Sequence, residues 1–342
     1  MKQPSTILKL RGSVVLDDFI VDVSWSPDSR RLAAASGEGE IFLLDRNDIS
    51  IAARLIGEHG MGGLSVAWQP RGQKFVTSGQ DSRVALYDAE GNLVSEQRPA
   101  IAWTTAVTWS PDGKRLATAA GKQITLWSPS LEKEHVFAPL VATVFALGWD
   151  KPGRDLGAAI NGGLVVHRIE PPRFQMRLYK WAAPCFTVAF SPNGRHLATG
   201  TQDGSVHFWH LSTGRDSQMR GYPMKVDQVT WSGDSRYLAT AADDQVIVWD
   251  FGGKGPEGSR PIQLRGHTDR IECIAFQPSG NYLVTGGRDW RVSLWLPGKS
   301  SVALDAQLTD SEPTCLRWSS DGRFLAVGER GGRLSLLELV RL

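Results

Sequence analysis

Eight aromatic residues recur along the chain at intervals of 43, 41, 40, 41, 41, 45 and 42: Trp25, Trp68, Trp109, Trp149, Phe190, Trp231, Phe276 and Trp318. So regular a period admits few architectures. Each copy must be a small unit that cannot bury its own apolar faces and therefore stacks on the next. The surrounding text repeats too, as in VSWSPDSRRLAAAS, VTWSPDGKRLATAA and VAFSPNGRHLATGT. An aliphatic residue stands two positions before each aromatic (Val23, Val66, Val107, Leu147, Val188, Val229, Ile274, Leu316), and Leu or Phe stands seven after it.

One copy reads as a β-meander. The Val-x-Trp alternation has period two, so both apolar side chains lie on one strand face. Ser-Pro-Asp-Gly then makes a tight turn, Pro presetting φ and Gly accepting φ > 0. Leu-Ala-Thr forms a second strand. QITLW, SVHFW, QVIVW and RVSLW, ending at Trp127, Trp209, Trp249 and Trp295, form a third, and more polar runs such as ARLIGE and IQLRGH a fourth.

Four-stranded repeats of this length, with Gly266-His267 before a first strand and Trp249-Asp250 ending a third, resemble WD40 repeats. Tyr87-Asp88 and Leu44-Asp45 are looser matches, and the fourth and eighth copies end instead in His167-Arg168 and Leu337-Glu338. The expectation is an all-β, eight-bladed propeller, with seven blades as the alternative. Only seven fourth strands lie between copies. Residues 5–11 supply the eighth, because ILKLRG echoes IQLRGH, and they close the last blade against residues 333–339. The whole of residues 1–342 reads as a single domain.

Composition excludes several classes. Thirty-eight Lys+Arg against 36 Asp+Glu leave a net charge of +2, a field too weak to steer toward nucleic acid or an anionic membrane, so neither partner is expected. Apolar runs extend only a handful of residues, and the N-terminus lacks an apolar signal core. Three cysteines, Cys185, Cys273 and Cys315, make no disulfide framework, which leaves the cytoplasm as the expected location.

Two copies carry a full polar set: His267, Thr285, Asp289 and Trp295, and His59, Thr77, Asp81 and Tyr87. These residue types could suggest nucleophilic catalysis. The resemblance implies instead a buried hydrogen-bond chain tying the loop before the first strand to the second-to-third turn. Residues 253–258 (GKGPEG) match a dinucleotide pattern, but Pro256 and the strand that follows make them a loop. HExxH, GxSxG and CxxC do not occur. The channel-facing starts of the first strands are read as Asp22, Ser65, Ala106, Ala146, Thr187, Gln228, Cys273 and Cys315, a poor set for a catalytic or metal site. No cofactor is expected, and neither catalytic nor metal residues are assigned.

Of 13 tryptophans, ten belong to the repeat and three do not: Trp103, Trp181 and Trp290. All three fall in fourth-to-first or second-to-third connections, which emerge on one face of a four-stranded meander. Tyr222, Lys225 and Arg270 occupy equivalent loops. Trp, Tyr and Arg together on a face have the composition of a protein-binding hot spot. The expected function is thus a non-catalytic scaffold whose protein partner binds this face, with an acidic or mixed-charge partner favoured. The alternatives are an enzyme propeller with a channel site, or a metal-handling accessory. The latter rests on the stretch from YPMKVDQVTW to VIVWDFGGKGPEG, which is similar to stand-alone bacterial WD40 proteins, some encoded beside CobW-type metal-chaperone GTPases.

Overall fold

The computed structural model describes residues 6–49, 53–253 and 255–341. Ser5 of the expected closing strand and Lys254 of the 253–258 loop lie outside them. Eight antiparallel sheets follow one another along the chain, each with its strands in sequence order except the last. The first strands of successive sheets contact one another, and the first strand of sheet 1 (Ile20–Trp25) contacts that of sheet 8 (Pro313–Trp318). The sheets therefore form a closed ring of eight blades with the first strands innermost. That is the expected count.

The period of the sequence becomes the packing of the blades. Eight apolar clusters fill the eight gaps between neighbouring blades, so the core is a ring of interfaces rather than one central mass. The recurring aromatics brace those gaps. Indole Nε1–H donates across to a first-strand carbonyl of the preceding blade in five cases: Trp25 to Arg317 at 2.9 Å, Trp109 to Ala67 at 3.1 Å, Trp149 to Thr108 at 3.2 Å, Trp231 to Ala189 at 3.0 Å and Trp318 to Ala275 at 3.2 Å. Phe190 and Phe276 fill the same place without the bond. The Ser-Pro-Asp-Gly turns hold themselves: Ser26 Oγ donates to Asp28, which accepts from the Arg30 amide.

Closure uses the N-terminus. Strand Thr6–Val15 pairs antiparallel with Arg333–Arg341, with Leu8 opposite Leu339 and a bulge at Arg11. It runs further than the expected 5–11. Arg11 and Arg323 both reach the buried carboxylate of Glu338. Covering this edge removes a row of unpaired backbone groups.

Blade 4 departs in shape. Its second and third strands follow one another in a single run of residues, Asp155–Glu170, joined by a tight turn. Fully extended, 16 residues would span about 53 Å. Yet the Ile169 amide donates to the Arg154 carbonyl at 2.7 Å, and Arg168 pairs with Asp155, so the segment doubles back. The reversal falls at Gly162 and Gly163, whose φ angles of 102° and 135° only glycine adopts readily. Its outer strand, Arg173–Pro184, has 12 residues against three to five in blades 1–3 and 5–7.

Candidate functional site

Each of the two polar sets forms a hydrogen-bond chain through its histidine. His267 Nδ1 lies 2.9 Å from Asp289 and Nε2 lies 2.7 Å from the Thr285 hydroxyl, which also accepts Trp295 Nε1–H at 2.8 Å. His59 repeats this with Asp81 at 3.0 Å and Thr77 at 2.9 Å, and Tyr87 bonds Thr77. Asp289 and Asp81 also accept the amides of Thr268 and Gly60, which fixes the loop entering the blade. Burial opposes ionisation of Asp81, but hydrogen bonds from Arg83 and His59 outweigh it and bring its pKa down to about 2. Both threonines are fully buried. A hydroxyl that no substrate can reach is not a nucleophile, so these sets clamp loops.

The fourth-to-first connections and the second-to-third turns surround one mouth of the central channel, and the three surplus tryptophans separate there. Trp103, in the connection entering blade 3, is 54% exposed, and Trp290, in the second-to-third turn of blade 7, is 51% exposed. Trp181 does not join them. Its ring lies against His207 of blade 5, 3.9 Å between centroids, because the long outer strand of blade 4 carries it into the gap between blades. Tyr222 also leaves the exposed set. Its hydroxyl sits 2.7 Å from Thr240 and accepts Trp249 Nε1–H at 2.8 Å, so it performs in blade 6 the clamp that histidine performs in blades 2 and 7. Burial pushes that phenol up to about 12.

Lys225 and Arg270 reach the mouth but are already paired. Both bond Asp227, at 3.1 and 2.8 Å, while Arg288 bonds Glu272 at 2.5 Å and Arg330 bonds Glu312 at 2.5 Å. The expected preference for an acidic or mixed-charge partner is weakened, since Lys225 and Arg270 are paired within the chain.

The expected channel positions also need correcting. Asp22, Cys273 and Cys315 are buried between blades. Asp22 accepts from Arg317 of blade 8 at 2.8 Å and from the Val66 amide of blade 2 at 3.1 Å. Burial raises the thiols of Cys185 and Cys315 to about 11 and that of Cys273 well above its ordinary value, so none is poised as a thiolate. The reason is a β-bulge one residue earlier in six first strands, which leaves Val21, Leu64, Thr105, Phe145, Glu272 and Thr314 unpaired. A bulge re-aims side chains. Phe186 and Asp227 stand at the same place in blades 5 and 6.

Aligned this way, the mouth divides. On blades 1 to 5 it presents Val21, Leu64, Thr105, Phe145 and Phe186, with Phe145, 44% exposed, edge-on to Phe186 at 5.7 Å. The connections entering blades 1 to 4 add exposed Phe19, Met61, Ile101, Trp103 and Val141. On blades 6 to 8 it presents the ion pairs just described, beside exposed Met224 and Trp290. Lys225 joins the halves, its ammonium 5.3 Å from the Phe186 ring centre. Phe145 and Phe186 were missed from sequence because the channel position was read one residue late. The signal was present, four residues before each anchoring aromatic.

Trp290 carries a second mark. Its φ is +59°, in the left-handed region where the equivalent turns of blades 1, 5 and 8 place Gly39, Gly204 and Gly332. A bulky residue there is strained by about 1–3 kcal/mol.

Among the described residues no group of three or more His, Cys, Asp or Glu is placed to hold a metal ion, and no helix is long and apolar enough to cross a membrane.

A family model described as WD domain, G-beta repeat, matches residues 5–45, 100–128, 176–210, 216–250, 258–295 and 299–336, together more than half of the chain. The chain is 26% identical over 267 residues to Protein FIZZY-RELATED 2 of Arabidopsis thaliana, covering 72% of this chain and 53% of that protein. It is 23% identical over 275 residues to Anaphase-promoting complex subunit cdh1 of Dictyostelium discoideum, covering 77% and 34%. To WD repeat-containing protein 1 of Xenopus tropicalis it is 24% identical over 295 residues, covering 80% and 46%. It thus spans about half or less of these relatives' length.

Proposed function

Because the chain belongs to the WD40 repeat family, we propose that it acts as a non-catalytic platform, one propeller domain over residues 1–342, that binds a protein partner across the channel mouth. The observation carrying this reading is the pair of exposed tryptophans. Trp103 enters blade 3 and Trp290 turns in blade 7, opposite positions in a ring of eight. Burying each indole stabilises a complex by about 1.5–3 kcal/mol, and left in water the same surface favours aggregation. Between them, Phe145 and Phe186 offer an apolar seat, and the Lys225–Asp227–Arg270 cluster gives a rim that fixes orientation more than affinity. A folded domain or long peptide could touch both sides. The name of the Dictyostelium relative places that protein in a complex, which supports a binding role for this chain.

The test compares partners retained from native lysate by wild type and by Trp103→Ala/Trp290→Gly, each checked for unchanged circular dichroism. The double variant should lose a specific polypeptide that wild type retains. Equal recovery by both would remove the mouth from the account.

A further inference from the structure

We infer that the outer edge of blade 4 is a second binding site, one that takes up an extended segment of another protein as a fifth strand. Strand Arg173–Pro184 is the longest outer strand of the ring, 12 residues against ten for Thr6–Val15 and three to five in the other blades, and among the described residues no strand pairs with its far side. Every second residue there turns its N–H and C=O outward, the template that strand addition uses.

The side chains specify what would fit. Register with the third strand puts Phe174 opposite Ile169, Met176 opposite His167 and Leu178 opposite Val165. These face blade 3, whose own outer strand, Lys133–Val136, is only four residues long. His135 from it stacks on Phe174 at 3.9 Å. Met176 and Leu178 lie beyond that cover, 62% and 41% exposed. Arg173, Gln175 and Arg177 alternate on the other face. Neither arginine, nor Lys180, joins an ion pair among the described residues; Arg177 lies over the Tyr179 ring, 4.7 Å from its centre.

Opposite residues share a face in an antiparallel pair, so an added strand needs apolar side chains against Phe174, Met176 and Leu178. It needs carboxylates against Arg173 and Arg177. The partner is therefore an extended segment alternating valine-like and acidic residues, with two acids four apart. A second copy of this chain fits poorly, because antiparallel self-pairing would bring these arginines near one another without a carboxylate.

The probe is the blocked octapeptide SVEVTVES, titrated by calorimetry against the full chain, with SVKVTVKS as control. The glutamate peptide should bind saturably and slow amide exchange across 173–180. Arg173→Glu/Arg177→Glu should weaken it by about tenfold or more and accept the lysine peptide instead. Backbone N-methylation at alternate residues should abolish binding in one of the two frames. The inference is overturned if the peptide does not saturate, if charge reversal leaves affinity unchanged, or if both N-methylated frames bind like the parent. Sedimentation showing a dimer that the same reversal dissolves would equally overturn it, in favour of a second copy.

Discussion

At residue scale, the loop clamps and the strained tryptophan make opposite predictions. Asp289→Ala strands the His267 Nδ1–H and the Thr268 amide, and should cost about 1–3 kcal/mol in denaturant unfolding. An unchanged midpoint would mean the chain is not holding the loop. Trp290→Gly relieves a left-handed φ, so stability should hold or rise by about 1 kcal/mol while binding at the mouth falls. If the variant is instead destabilised, the indole is structural. The histidine clamps were legible because His59 and His267 stand 18 residues before Thr77 and Thr285. Tyr222 stands 18 before Thr240 as well, but as a tyrosine it read as a surface residue. Spacing carried the information and residue type obscured it. The Trp181 position was not legible, since its burial depends on a neighbouring blade.

At the scale of single elements, blade 4 concentrates the irregularities. His167 takes the place held by Trp or Tyr in blades 2, 3, 5, 6 and 7 and packs on Phe137, with Nε2 buried and without a hydrogen-bond partner among the described residues. Burial, aided by the nearby His135, lowers its pKa from 6.5 to about 4. The unfolded chain therefore binds the extra proton between those values, so stability rises with pH across that window and is lost on acidification from about 6.5 toward 4. His167→Leu, the residue blades 1 and 8 use at Leu44 and Leu337, should remove about 1–3 kcal/mol of this pH dependence. Melting curves of wild type and variant at pH 7 and pH 4.5 decide it: the gap between the two pH values should narrow. The bulges that define the mouth were invisible for a related reason. A strict period-two reading assigns alternate residues to faces, and one inserted residue shifts the assignment by a position.

For the whole molecule, closure and polarity are the two properties that matter. The ring is locked between blades 8 and 1 by strand Thr6–Val15 and by the Trp25 indole on the Arg317 carbonyl. Deleting residues 1–15 should bare Arg333–Arg341 as an edge and produce concentration-dependent aggregation visible in light scattering. A monodisperse, equally stable product would show closure is not needed. Eight blades could be counted from the period alone, because the repeat is itself the packing unit. The division of the mouth into a largely apolar half and a half rich in ion pairs could not, since it arises only when side chains from eight separate blades converge. The central claim is that one partner spans those halves. A photo-crosslinking amino acid placed singly at 103, at 290, and at 114 in a first-to-second turn of the opposite face, tests it directly. The same polypeptide should be captured from 103 and from 290 and not from 114. Capture of unrelated polypeptides at the two mouth positions, or equal capture from 114, would contradict it.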